Sequence, residues 1–97
     1  MKIQILRLAY QEFLEAKEYY EIEQPGLGAR FEKEIKHSIL RIKQYPSAWP
    51  AESKVIHRHF VHKFPYKVLY SVQKGIIVIL AFAHLHRKPN YWMDRIK

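Results

Sequence analysis

Two clusters in the second half of the chain hold residue types able to do chemistry. The first is His57-Arg58-His59, with His62 and Lys63 next. The second is His84, His86, Arg87 and Lys88, followed by Tyr91 and Trp92. In each cluster two histidines stand two residues apart, so on a strand they project from one face. Three readings compete for such a set. Paired imidazoles on adjacent strands can ligate a divalent ion. That site needs acceptors, often carboxylates, to orient the rings, and the neighbouring cations would repel the ion, so neither metal nor cofactor is expected. Cleavage of RNA by its own 2′-hydroxyl is the second. It needs a base, an acid and cations around the charged phosphorane, and His, Tyr, Lys and Arg supply them without metal. Tyr91 and Trp92 would then stack on an unpaired base. The third reading is structural: strand histidines and arginines are solvated, and Tyr19, Tyr20, Trp49, Tyr66 and Tyr70 belong to the core.

Charge favours a binding surface over scattered solvated side chains. Residues 1–53 hold eight Lys/Arg against eight Asp/Glu, whereas residues 54–97 hold nine against one, Asp94. The whole net charge of +8 therefore comes from the second half. A face so poor in carboxylates attracts polyanions or acidic protein segments, at a cost in self-repulsion. It also offers almost no carboxylate to act as acid, base or hard-metal ligand.

The elements that must position these clusters follow from periodicity. A 97-residue chain with 48% hydrophobic and 14% aromatic residues builds one domain, residues 1–97, around one core. Ile3, Ile5, Leu6 and Leu8 read as a first strand. Tyr10 to about Gln24, free of Gly and Pro, reads as a helix ended by Gln24-Pro25-Gly26. Leu27, Phe31, Ile35, Ile39 and Ile42 mark one face of a second helix, which Tyr45-Pro46 and Trp49-Pro50 terminate. The period then changes to two. Val55–Val61 and Tyr66–Gln73 read as strands, Lys74-Gly75 as a hairpin turn, and Ile76–Ala83, apolar throughout, as a central strand covered on both faces. Pro89 to Lys97 is expected to form a short helix with proline in its first turn. The expected fold is α+β, β-α-α-β-β-β, with an antiparallel-rich sheet and a helical hairpin on one face. The longest apolar run, Ile76–Ala83, is far too short to span a bilayer. The absence of cysteine fits a reducing cytoplasm.

Several blocks resemble the RelE/ParE toxin superfamily, and its ParE branch more closely. Tyr19-Tyr20-Glu21, Gln24-Pro25-Gly26-Leu27-Gly28 and Phe31 resemble its helical hairpin. Arg41-Ile42, Tyr45-Pro46 and Trp49-Pro50 resemble the helix exit. Phe64-Pro65-Tyr66-Lys67-Val68-Leu69-Tyr70 is similar to its middle strand, and His84 to Trp92 to its last-strand motif. The resemblance implies the toxin of a type II toxin–antitoxin or plasmid-stabilisation module. Such a toxin is cytoplasmic, has no membrane partner, and is neutralised by a cognate antitoxin through which alone it meets operator DNA. ParE-like action implies binding to DNA gyrase. RelE-like action implies metal-independent cleavage of messenger RNA on the ribosome. Arg58, His84, His86, Arg87 and Tyr91 would then be catalytic, although the lysine-rich stretch before the middle strand is reduced to Lys54. Lys63, Lys67, Lys88 and Trp92 are the expected binding residues. A degenerate toxin that only binds its antitoxin and helps repress the operon is the third possibility.

Overall fold

The computed structural model describes residues 1–96. Its elements run β1 (Lys2–Ile5), α1 (Arg7–Glu23), α2 (Leu27–Gln44), β2 (Ala51–Ser53), β3 (Ile56–Phe60), β4 (Tyr66–Gln73) and β5 (Ile76–His84), closing with a 3₁₀ turn, Met93–Arg95. The five strands form one sheet in the order β1-β5-β4-β3-β2. β1 is parallel to β5, and every other pair is antiparallel.

The helical hairpin covers one face of the sheet. α1 presents Ala9, Phe13, Ala16 and Tyr20 at helical spacing, and α2 presents Phe31, Ile35 and Ile42. Val68, Tyr70, Ile77, Ile79 and Phe82 meet them from the sheet. Gly26, at φ 90°, takes the left-handed conformation that joins the helices. The Glu21 carboxylate then accepts the N–H groups of Gly26 and Gly28, each at 3.0 Å. Two free donors at the start of α2 are satisfied there, and the negative charge faces the positive end of the helix dipole.

The opposite face carries a second core of Ile56, Leu69, Leu80, Ala81, Ala83 and Trp92. A bulge lets β5 serve both. Leu69 pairs with Ala81 but Tyr70 pairs with Ile79, so Leu80 is an extra residue and the alternation flips. Lys74 and Gly75, both at positive φ, make the two-residue hairpin expected between β4 and β5.

Four expectations change. The first strand ends at Ile5 and Leu8 already lies in α1, because pairing with β5 stops at Ile79. β2 is an additional short edge strand. No helix starts at Pro89: Asn90 sits at φ 63° and interrupts helical continuation, leaving only the 3₁₀ turn. Tyr19 is not core but 57% exposed, whereas Tyr70 is fully buried.

The hairpin depends on a close approach at Gly28. A Cβ there would lie 2.8 Å from the Lys17 carbonyl oxygen. Gly28→Ala should therefore destabilise the domain by about 1–3 kcal/mol through overpacking, read as a lower urea midpoint at unchanged slope.

Candidate functional site

Beyond the end of β1, no strand flanks β5 on that side, among the described residues. Its exposed backbone is taken up by side chains instead. Phe82 N–H donates to Glu12 Oε1 at 3.1 Å, and the Leu80 carbonyl accepts from Arg95 Nη1 at 2.9 Å. Arg95 and Glu12 also bind each other through two bonds of 2.9 and 3.0 Å. The Tyr91 hydroxyl donates to Glu12 Oε2 at 2.6 Å. Glu12 thus ties α1, β5 and the C-terminal segment together. Burial, then the hydrogen bond to Glu12, hold the Tyr91 phenol well above the ordinary tyrosine range, so it keeps its proton at neutral pH.

This anchoring shapes a cleft of about 170 Å³ at the C-terminal end of β5. Six expected site residues line it: Lys67, His84, Arg87, Lys88, Tyr91 and Trp92. Arg58 stands at its margin through Glu52, a cleft residue that lies 2.7 Å from Lys67 Nζ and 3.6 Å from Arg58 Nη1. His86 is adjacent, its ring centroid 5.3 Å from that of His84. Lys63 is elsewhere, on the β3–β4 loop over the helical hairpin.

The cleft is less free chemically than the sequence suggested. Glu52 engages Lys67 and Arg58, and Arg58 Nη1 also donates to the Ala51 carbonyl at 3.0 Å. His84 Nδ1 accepts the His86 N–H at 3.1 Å, which occupies that ring nitrogen. Arg87 lies over the Tyr91 ring at 3.9 Å, a cation–π contact. Trp92, expected to stack on a base, is 1% exposed and belongs to the second core.

The two histidine clusters do not converge. β4 separates β3 from β5. His57 and His59 share a face as the spacing required, but it is the helix-side face. His57 stacks on Tyr70 and its Nδ1 lies 2.9 Å from the Trp49 carbonyl; His59 is buried against the Trp49 ring. They pin the loop between α2 and β2, with the Tyr70 hydroxyl donating to the Pro46 carbonyl at 2.6 Å. Among the described residues no group of three His, Cys, Asp or Glu side chains is placed to hold a metal ion. No helix there is long and apolar enough to cross a membrane.

Glu12, Glu52 and Arg95 were the functional residues that sequence reasoning missed. A lone acid in a helix has no local signal for a partner that lies 83 residues away.

Two measurements test this architecture. Glu12→Ala leaves a recessed guanidinium and the Phe82 N–H without their acceptor. Loss of such a pair costs about 3–5 kcal/mol, visible as a lower urea midpoint. Trp92 emission should shift to the red as the C-terminal segment loosens. Separately, burial and then the Arg41 charge push the His59 imidazole below its ordinary 6.5. The unfolded ring accepts a proton that the folded ring resists. Stability is therefore full above pH 6.5 and falls as pH drops below it. His59→Asn should flatten that part of the stability–pH curve.

No protein-family model matches the sequence, and no curated protein matches it. A solved chain from the "Chromosomal ParDE TA system from P. aeruginosa" superposes with a TM-score of 0.70, at 15% identity, over 87% of this chain and 95% of its own length. At that identity the likeness is one of architecture. The helical hairpin on a five-stranded mixed sheet is a ParE-like fold.

Proposed function

We propose that this chain is the toxin of a type II toxin–antitoxin pair, and that it arrests growth by binding DNA gyrase rather than by cutting RNA. The fold likeness to a ParDE chain supports the first part. One observation carries the second: three of the five candidate catalytic groups, Arg58, His84 and Tyr91, are engaged internally. The Tyr91 hydroxyl donates to Glu12, Lys67 and Arg58 face Glu52, and His84 Nδ1 accepts the His86 N–H. A phosphorane needs uncommitted cations and a free base. What the cleft offers outward is Arg87, Lys88 and His86, all exposed, and that suits recognition. A net charge of +8 also speeds encounter with an acidic antitoxin, whose segment orders on binding. The ribonuclease reading keeps one observation in its favour, the adjacency of His86 to Arg87 beside the cleft.

Expression of the chain alone should arrest bacterial growth, and co-expression of the antitoxin should relieve it. Micromolar purified protein should block supercoiling by gyrase or trap cleaved DNA, with messenger RNA left intact. Unchanged supercoiling together with RNA cleavage that His86→Ala and Arg87→Ala abolish would replace this reading by the ribonuclease one. Absence of growth arrest would leave a degenerate toxin that binds its antitoxin only.

A further inference from the structure

Among the described residues, Glu52 is the one carboxylate that lines the C-terminal cleft. It reaches the cleft from β2, a three-residue edge strand whose pairing with β3 shifts register between Ala51 and Ser53. So short an edge is held mainly by whatever fixes the loop before it. β3 supplies that hold. His57 Nδ1 lies 2.9 Å from the Trp49 carbonyl, the Pro50 carbonyl accepts the Arg58 N–H at 2.9 Å, and the Ala51 carbonyl accepts from Arg58 Nη1 at 3.0 Å. The Trp49 ring closes the loop over His59, edge to face at 4.4 Å. Two imidazoles thus hold one loop, and they differ in one respect. His57 Nδ1 faces a carbonyl, so a charged His57 keeps its bond. His59 Nδ1 is buried without a partner, as is Trp49 Nε1. A charged His59 carries a buried N–H that nothing accepts. Among the described residues no carboxylate lies within ion-pair distance of it. The charged or titratable groups on its side are Arg41 from α2, His57 from its own strand, and Tyr70 from β4, whose hydroxyl is committed to the Pro46 carbonyl. β4 sets the apolar Val68 directly opposite.

We infer that His59 is a proton-operated latch on the cleft: a proton on its ring lifts Trp49, draws β2 away from β3 and withdraws Glu52 from Lys67 and Arg58, so that the cleft becomes more cationic as the medium turns acid. The ring cannot hold a charge where it stands. Its way to water leads past Trp49, which is itself only half-buried. Trp49 and Glu52 are three residues apart in the chain, so one cannot move far without the other. Lys67 and Arg58 stay behind, because β3 and β4 pair with each other from His57–Tyr70 to Phe60–Lys67. Glu52 then gives up its 2.7 Å contact with Lys67. Burial first and the Arg41 charge second make the folded ring resist its proton. The latch is therefore closed above the ordinary imidazole value of 6.5 and opens as pH falls below it. The opening precedes loss of the fold, since an edge strand this short holds few bonds. Nothing in the device depends on what the cleft binds.

Two readouts on the full chain test it. One is the pair of indole N–H signals in NMR spectra, assigned with Trp49→Phe. The other is the affinity for inorganic sulfate, which stays a dianion throughout, titrated at constant ionic strength. Between about pH 7.5 and about pH 5.5 the Trp49 signal should move to a solvent-exposed position while the Trp92 signal stays. Sulfate affinity should rise over the same range by roughly fivefold more in the wild type than in His59→Asn. Protonation of His84 and His86 raises it in both chains and cancels in that comparison. Glu52→Gln should bind sulfate more tightly than the wild type already at neutral pH, with Trp49 still in place. Circular dichroism checks the fold of each variant, and His59→Gln repeats the measurement where the asparagine variant misfolds. A Trp49 signal that stays fixed down to about pH 5.5, that moves only together with Trp92, or that moves equally in His59→Asn overturns the inference. So does an equal gain in sulfate affinity in the wild type and His59→Asn.

Discussion

The structure turns on one half-buried carboxylate, Glu12. β5 runs past the end of its parallel neighbour, and an unpaired strand edge inside a protein must find hydrogen-bond partners. Glu12 and Arg95 provide them, one taking an amide and the other a carbonyl that β1 is too short to reach. The arrangement is consistent only as a set. Glu12 needs cationic and hydroxyl donors to be tolerated in a recessed position, and Arg95 and Tyr91 supply them. Those two can do so only because Trp92, between them in sequence, is anchored in the second core. A helix near the start of the chain thereby decides where the last residues lie, and with them the cleft.

The same logic governs charge. Along the sequence the second half is nearly all cationic, but folding redistributes acids from the first half. Glu52 is set between Arg58 and Lys67, and Glu12 against Arg95. Among the described residues two groups of unpaired cations lie beside cavities, Arg87 and Lys88 at one end and Arg30, Lys33 and Lys63 over the hairpin. These two surfaces differ in character. One is a cleft floored by backbone and histidine, the other a groove floored by aromatic rings.

Much of the fold was legible because it is written in short-range periodicity. Leu27, Phe31, Ile35 and Ile42 specify the α2 face with no knowledge of what covers it, and Tyr66, Val68 and Tyr70 do the same for β4. Lys74-Gly75 names its own turn. The resemblance of the Gly26-Leu27-Gly28 block has a physical basis in the Glu21 cap and the approach to Lys17. What was not legible depends on contacts far apart in the chain. The bulge at Leu80 leaves no trace in a run that is apolar at every position. The second core turned Trp92 from a presumed base-stacking residue into a packing residue. The site was half legible: Arg87, Lys88, Tyr91, His84 and Lys67 do gather at one cleft, but the acids that neutralise their neighbours came from elsewhere.

The pairing of β1 with β5 also has a consequence for synthesis. The first strand of the chain can be hydrogen-bonded only after residues 76–79 exist. The helical hairpin, made of neighbouring residues, can form while the ribosome is still translating; the sheet it covers must wait for residues 76–84. Long-range closure of this kind folds slowly compared with local helix pairing. Until residues 76–95 have been made the cleft is absent, and so is any activity housed there.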